Sequence, residues 1–121
     1  MVYHANYLRF AERARTEALR ALGVPHSDMA ADHGLIFMVR RVKLDYLAPA
    51  RLDDALTVTT LPLAVRGASV DLHQTIRLGE TVLVEVELQL ACVQSATGRP
   101  GRIPTRWRDA FALMTGASEG A

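Results

Sequence analysis

One long helical period opens this chain, and nearly everything after it reads as sheet. The period runs from Tyr3 to Gly23. Tyr7, Ala11, Ala14, Ala18 and Leu22 fall on one side with Phe10 and Ala21 flanking them, while Arg9, Glu12, Arg13, Thr16 and Arg20 turn outward. The inward stripe is mostly alanine, which lets a helix axis approach its partner closely, so the pattern predicts a helix pressed into a concave sheet. Asn6 is the expected N-cap, Gly23 the expected C′ residue, and Pro25 prevents the helix from resuming.

The connection from Val24 to Gly34 is polar and carries His26 and His33 without periodicity, so it reads as a loop. Strand formers follow from Leu35 to Leu47, where the jump in phase between Val39 and Val42 suits a β-bulge. Leu56 to Val65 resumes strand character, and Pro62 calls for an edge or bulged position because it lacks a ladder donor. Arg66, Gly67 and Ala68 form a hairpin turn. In the next strand Val70, Leu72, Ile76 and Leu78 share one face and Asp71, His73, Thr75 and Arg77 the other. From Val82 to Cys92 the residues Val82, Val84, Val86, Leu88, Leu90 and Cys92 line one face, opposite Glu85, Glu87 and Gln89. Pro104 starts a short helix with Trp107, Phe111 and Met114 at helical spacing, and residues 116–121 are expected to be a flexible tail after an ordered core of 1–115.

One helix followed by antiparallel strands is an α+β two-layer architecture. The 121 residues suffice for one domain and not two. One helix of this length cannot cover the whole sheet, and exposed strand edges invite pairing, so a dimer continuing the sheet across subunits is expected. A net charge of +1 gives no basic footprint for nucleic acid. No apolar run approaches a membrane span and no signal peptide is visible, which points to the cytoplasm. Cys92 lies in an apolar strand pattern and reads as a small hydrophobe. His26, His33 and His73 lack metal-ligand spacing, so no metal is expected.

Three segments carry a resemblance: VYHANYLRFAERARTEALRALGV at Val2 to Val24, VRRVKLDYLAPARLDDALTVTT at Val39 to Thr60, and TGRPGRIP at Thr97 to Pro104. In them the chain resembles the hot-dog-fold acyl-CoA thioesterases of the 4-hydroxybenzoyl-CoA thioesterase type, especially the Tol-Pal-associated branch. The resemblance implies a curved sheet wrapped round the central helix, a homodimer with sites between subunits, and often a homotetramer. The implied substrate is an acyl-CoA, so coenzyme A is part of the substrate and no separate cofactor is expected. Free N–H groups at a helix start supply donors where a thioester carbonyl becomes negative, and His4 and Ala5 sit at that start.

By the same resemblance the His4 backbone N–H and imidazole contact the reacting group and Glu12 matches an acidic helix position; Tyr7 lies on the first turn, where its hydroxyl could reach the same pocket, while its spacing alone reads as core. Arg66 matches a basic cluster that contacts the nucleotide phosphates; apart from the resemblance, the charges of Arg40, Arg41 and Lys43 on their strand make them a second candidate for those phosphates. The family's essential carboxylate lies in a segment just before the Tyr-His pair, and with it comes a first strand. Neither is present in a chain that begins Met1-Val2-Tyr3. The family commonly has Val-Val-Tyr-His here and a valine codon can serve as a start, so the expectation is a longer natural protein with Met1 misassigned. Two other functions are open on the same fold: a hydroxyacyl dehydratase using His4 with Glu12 or Glu17, and a domain that binds acyl-CoA or acyl carrier protein without turnover.

Overall fold

The computed structural model describes residues 4–48, 55–114 and 117–120, with side chains over 7–48 and 55–114. The chain runs α1 (His4–Ala21), α2 (His26–His33), β1 (Leu35–Tyr46), β2 (Thr57–Val65), β3 (Ser69–Leu78), β4 (Thr81–Gln94), α3 (Thr105–Leu113) and β5 (Ala117–Gly120). The strands form one antiparallel sheet in the order β1-β4-β3-β2-β5. No helix among the described residues is long and apolar enough to cross a membrane.

The alanine stripe behaves as expected through Ala11, Ala14 and Ala18, all buried, with Tyr7 at its head. The end of α1 corrects the rest of the pattern. Gly23 N–H donates to the Arg20 carbonyl and Val24 N–H to the Leu19 carbonyl, while Gly23 takes φ 79°. This is a Schellman ending. Leu22 therefore leaves the helical path and is exposed, Ala21 is exposed too, and Leu19 takes the buried place. At the other end the backbone is already helical at His4, so Asn6 lies inside α1 and is not its cap.

The segment expected as a loop contains α2. Pro25, extended at φ −66°, precedes its first turn, Gly34 closes it in the left-handed region at φ 64°, and Met29 is its one fully buried anchor. One anchor in a short helix leaves no period to read, and the helix is held by its ends and by packing on β1.

The sheet follows the sequence pattern closely. The bulge anticipated between Val39 and Val42 appears as a register shift between Val39 and Arg41, and Pro62 lies at a second shift, between Pro62 and Ala64. A third irregularity was not anticipated. Ile76 pairs with Val84 and Arg77 with Val82, so Leu83 is the extra residue, and both Leu83 and Val84 are buried. Leu78 is exposed, unlike the rest of its apolar series. Where a flexible tail was expected, Ala117–Gly120 pairs with Thr57–Thr60 along the edge that β2 would otherwise leave open.

Candidate active-site groove

Residue 74 interrupts the apolar face of β3 with a glutamine. Gln74 is 0% exposed, and its backbone partner on β2 is Thr60, also fully buried. The Gln74 side-chain amide donates to the Ala11 carbonyl of α1 at 2.7 Å and to Thr60 Oγ1 at 3.0 Å, and its oxygen accepts from Arg15 Nη1 at 3.2 Å. A buried amide satisfied on both ends fixes the parts it joins, because each bond would be costly to leave unmade. Here it pins the second turn of α1 to the middle of the sheet and holds Arg15 along the helix flank.

The position so fixed is off-centre. α1 lies mainly over β2, β3 and β5 and meets β1 through Tyr7 against Tyr46, while the shorter α2 packs on β1. Val39 and Val42, which face the helix side of the sheet, consequently stay 47% exposed each. The uncovered strip is a groove. Its first part, a cavity of about 240 Å³, is lined by Leu8, Glu12 and Arg15 from α1, Val39 and Val42 from β1, and Val86 and Leu88 from β4. Its continuation, about 170 Å³, shares Glu12, Arg15 and Val39 and adds Thr16, His26, Phe37 and Leu90. The groove is thus apolar near the start of α1 and polar further along.

Among the described residues Arg15 makes one hydrogen bond, the one to Gln74. Burial pushes its guanidinium below the ordinary value, against the pull of Glu12. His26 Nε2 is buried with no hydrogen-bond partner among the described residues, and its ring meets Phe37 at 6.0 Å. Burial, reinforced by the Arg15 charge and opposed by Glu12, lowers His26 below its usual value, so the imidazole is neutral at pH 7.

The residues singled out from sequence do not all meet. His4 and Ala5 begin α1, where the first N–H groups of any helix lack internal partners, and their side chains lie outside the described residues. Tyr7 is a core residue, 2% exposed, with its ring edge-on to Tyr46 at 5.4 Å, and it lines neither cavity. Glu12 is exposed, as its outward position predicts, and also lines both cavities.

Arg66 is elsewhere. Its Nη1 donates to Asp71 Oδ2 at 2.8 Å, and this bond, followed by one from Gln89, holds the Asp71 carboxyl below its usual value. Along β4, the Tyr46 level near the start of α1 and the Ser69 level beside Arg66 are seven positions apart, from Val84 to Ala91, or roughly 20–25 Å. Arg66 does gain company that spacing could not reveal. Arg108 Nη1 donates to its carbonyl at 2.7 Å, and Arg102 Nη1 lies 4.0 Å from where a β-carbon on Gly67 would sit.

Arg41 reaches Gln89 and Lys43 stands opposite Glu87 on the face away from α1, the face where His73 also approaches Glu87 at 3.9 Å. Cys92 is a free, buried thiol pushed up by burial. Arg15, His26 and Gln74 were not singled out from the sequence as functional. Gln74 alone left a signal there, a polar residue at the core phase of an apolar strand.

A family model described as the thioesterase superfamily matches residues 1–86. The acyl-CoA thioesterase YbgC of Haemophilus influenzae is 36% identical over 111 residues, covering 92% of this chain and 82% of that protein. The acyl-CoA thioester hydrolase YbgC of Escherichia coli is 40% identical over 105 residues, 86% of this chain and 78% of its own. A crystal structure of a probable thioesterase from Bartonella henselae superposes with a TM-score of 0.78 at 36% identity, covering 85% of each chain.

Proposed function

Because the chain belongs to the thioesterase superfamily, with the hot-dog arrangement of one long helix against an antiparallel sheet, we propose that it hydrolyses acyl-CoA thioesters to free acid and CoA. The observation that carries this reading is the groove that runs along α1 from Leu8, just beyond the helix start. A thioester carbonyl set against the free N–H groups of that start would have donors and the positive end of the helix dipole where charge develops. The acyl group would then lie along Leu8, Val42, Val86 and Leu88. Water attacks the carbonyl carbon, the C–S bond breaks, and the CoA thiolate leaves to be protonated.

Glu12 stands eight residues beyond His4, about 12 Å along the axis, too far for its carboxylate to activate water at the first turn. Its proposed role is to balance the Arg15 charge. With a panel of acyl-CoAs and thiol release as the readout, Glu12→Gln should keep kcat within about tenfold of wild type. Loss of a true base costs roughly a hundredfold to ten-thousandfold, and a drop of that size would make Glu12 the base. In the same assay Arg66→Ala should raise KM with little change in kcat, the signature of a phosphate contact made equally in ground and transition states. Release of thiol from no member of the panel would sink the hydrolase reading.

A homodimer would bring the separated parts together. β1 is an edge strand with Met38 more than half exposed, as is Leu47 just past its end. Two β1 edges paired antiparallel would set the Arg66 end of one protomer beside the α1-start end of its partner, so that one CoA ester could span both. Sedimentation should therefore find dimers or their multiples, and Met38→Lys with Val42→Glu should shift them toward monomer. A monomeric wild type would refute this assembly.

A further inference from the structure

The polar end of the groove has no task in the hydrolysis itself. Arg15 spends one donor of its five on Gln74, and among the described residues no carboxylate lies within ion-pair distance of it. A guanidinium lining a groove beside Val39, Val86 and Leu88 with no carboxylate at contact distance among the described residues is costly to maintain, and Glu12 offsets its charge only at longer range. The buried Nε2 of His26 also lacks a partner among the described residues. Arg15 and the His26 ring line the same continuation of the groove, which Phe37 and Leu90 help to close, with Nε2 buried behind its surface. An aliphatic chain end placed there would leave every one of these groups unsatisfied.

We propose that Arg15 and His26 determine specificity, and that the preferred acyl groups carry an oxygen acceptor, a carboxylate or hydroxyl, at the end remote from the thioester. This deepens the hydrolase reading and rests on it for the direction in which the acyl group lies. Arg15 would neutralise and bind the distal oxygen, while the uncharged His26 ring, turning so that its buried Nε2 meets the groove, would donate to it or accept from a hydroxyl. The titratable and charged groups facing this end are Glu12 and Arg15 from α1 and His26 from α2. Glu12 keeps the end from being strongly cationic when empty, and its exposed position lets it turn to water when an anion enters. Gln74 keeps the Arg15 stem in place throughout.

The test is a matched set of acyl-CoAs of equal, medium chain length ending in methyl, hydroxyl or carboxylate, assayed on the full chain. Wild type should favour the oxygen-bearing esters by about tenfold or more in kcat/KM, mostly through KM, as befits a hydrogen bond to a charged group. Arg15→Leu should bring that ratio near one, and Arg15→Lys should retain part of it. His26→Phe, which leaves the Gln74 contacts intact, should cost the hydroxyl ester most. Equal or better use of the methyl-terminated ester by wild type, or an unchanged ratio in folded Arg15→Leu and His26→Phe, would overturn the proposal.

If no ester is hydrolysed, thermal shifts with the free monocarboxylic and dicarboxylic acids of the same length decide the matter separately. Stabilisation by the diacid that disappears in Arg15→Leu would uphold the recognition end while the hydrolase reading fails. Equal shifts with both acids would sink it.

Discussion

Trp107→Ala is expected to lower the unfolding free energy by about 3–5 kcal/mol, the usual cost of deleting a large buried aromatic. Trp107 is 0% exposed on α3, meets the His33 ring edge-on at 5.7 Å, and belongs to the core cluster shared with Phe111, Ile103 and Met114. It joins the end of α2 to α3, so the cavity would open between two separate helices. Its indole Nε1 has no hydrogen-bond partner among the described residues. That gives the experiment a control: Trp107→Phe removes an unsatisfied buried donor along with part of the ring, and should cost clearly less than the alanine. Equilibrium unfolding in urea measures both, and equal losses would show that the indole N–H is bonded after all.

Gln74→Leu should be nearly as damaging, by about 2–3 kcal/mol, although it replaces a polar residue with an apolar one in the core. The leucine would strand the Thr60 hydroxyl and remove the partner of a half-buried guanidinium. Ala11 would lose its link to the sheet, freeing α1 to shift along it. Activity should therefore fall further than the folded fraction does, and Thr60→Val, which deletes one acceptor only, should cost about 1 kcal/mol. A double-mutant cycle between Arg15→Leu and Gln74→Leu should return a coupling of about 1 kcal/mol or more. Strict additivity would mean that the two side chains do not support each other.

Much of the scaffold was legible because its signals are local. Alternation in β3 and β4, the phase jump at Val39, the missing donor at Pro62 and the glycine after α1 each act within a few residues of themselves. The misreadings arose where a neighbour decides. Leu22 fits the helical stripe, yet the Schellman turn removes it from the helix; α2 has one anchor and no period. The groove was harder still. It exists because α1 leans toward β2 and β3, a lateral displacement written in the contact between Gln74 and Ala11, 63 residues apart. Arg15 and His26 acquire meaning only against that displacement, and the arginines gathered around Arg66 only when α3 folds back on the β2–β3 turn.

The same lean of α1 divides mutational freedom unevenly across the molecule. Residues beneath the helix on β2 and β3 are locked by packing, so change there is purged by loss of folding. Val39 and Val42, half exposed on an edge strand, and the flank of α2 can vary at small cost to the folding of the single chain. Descendants of such a chain can drift in the compounds they accept while the frame that holds the helix start stays as it is.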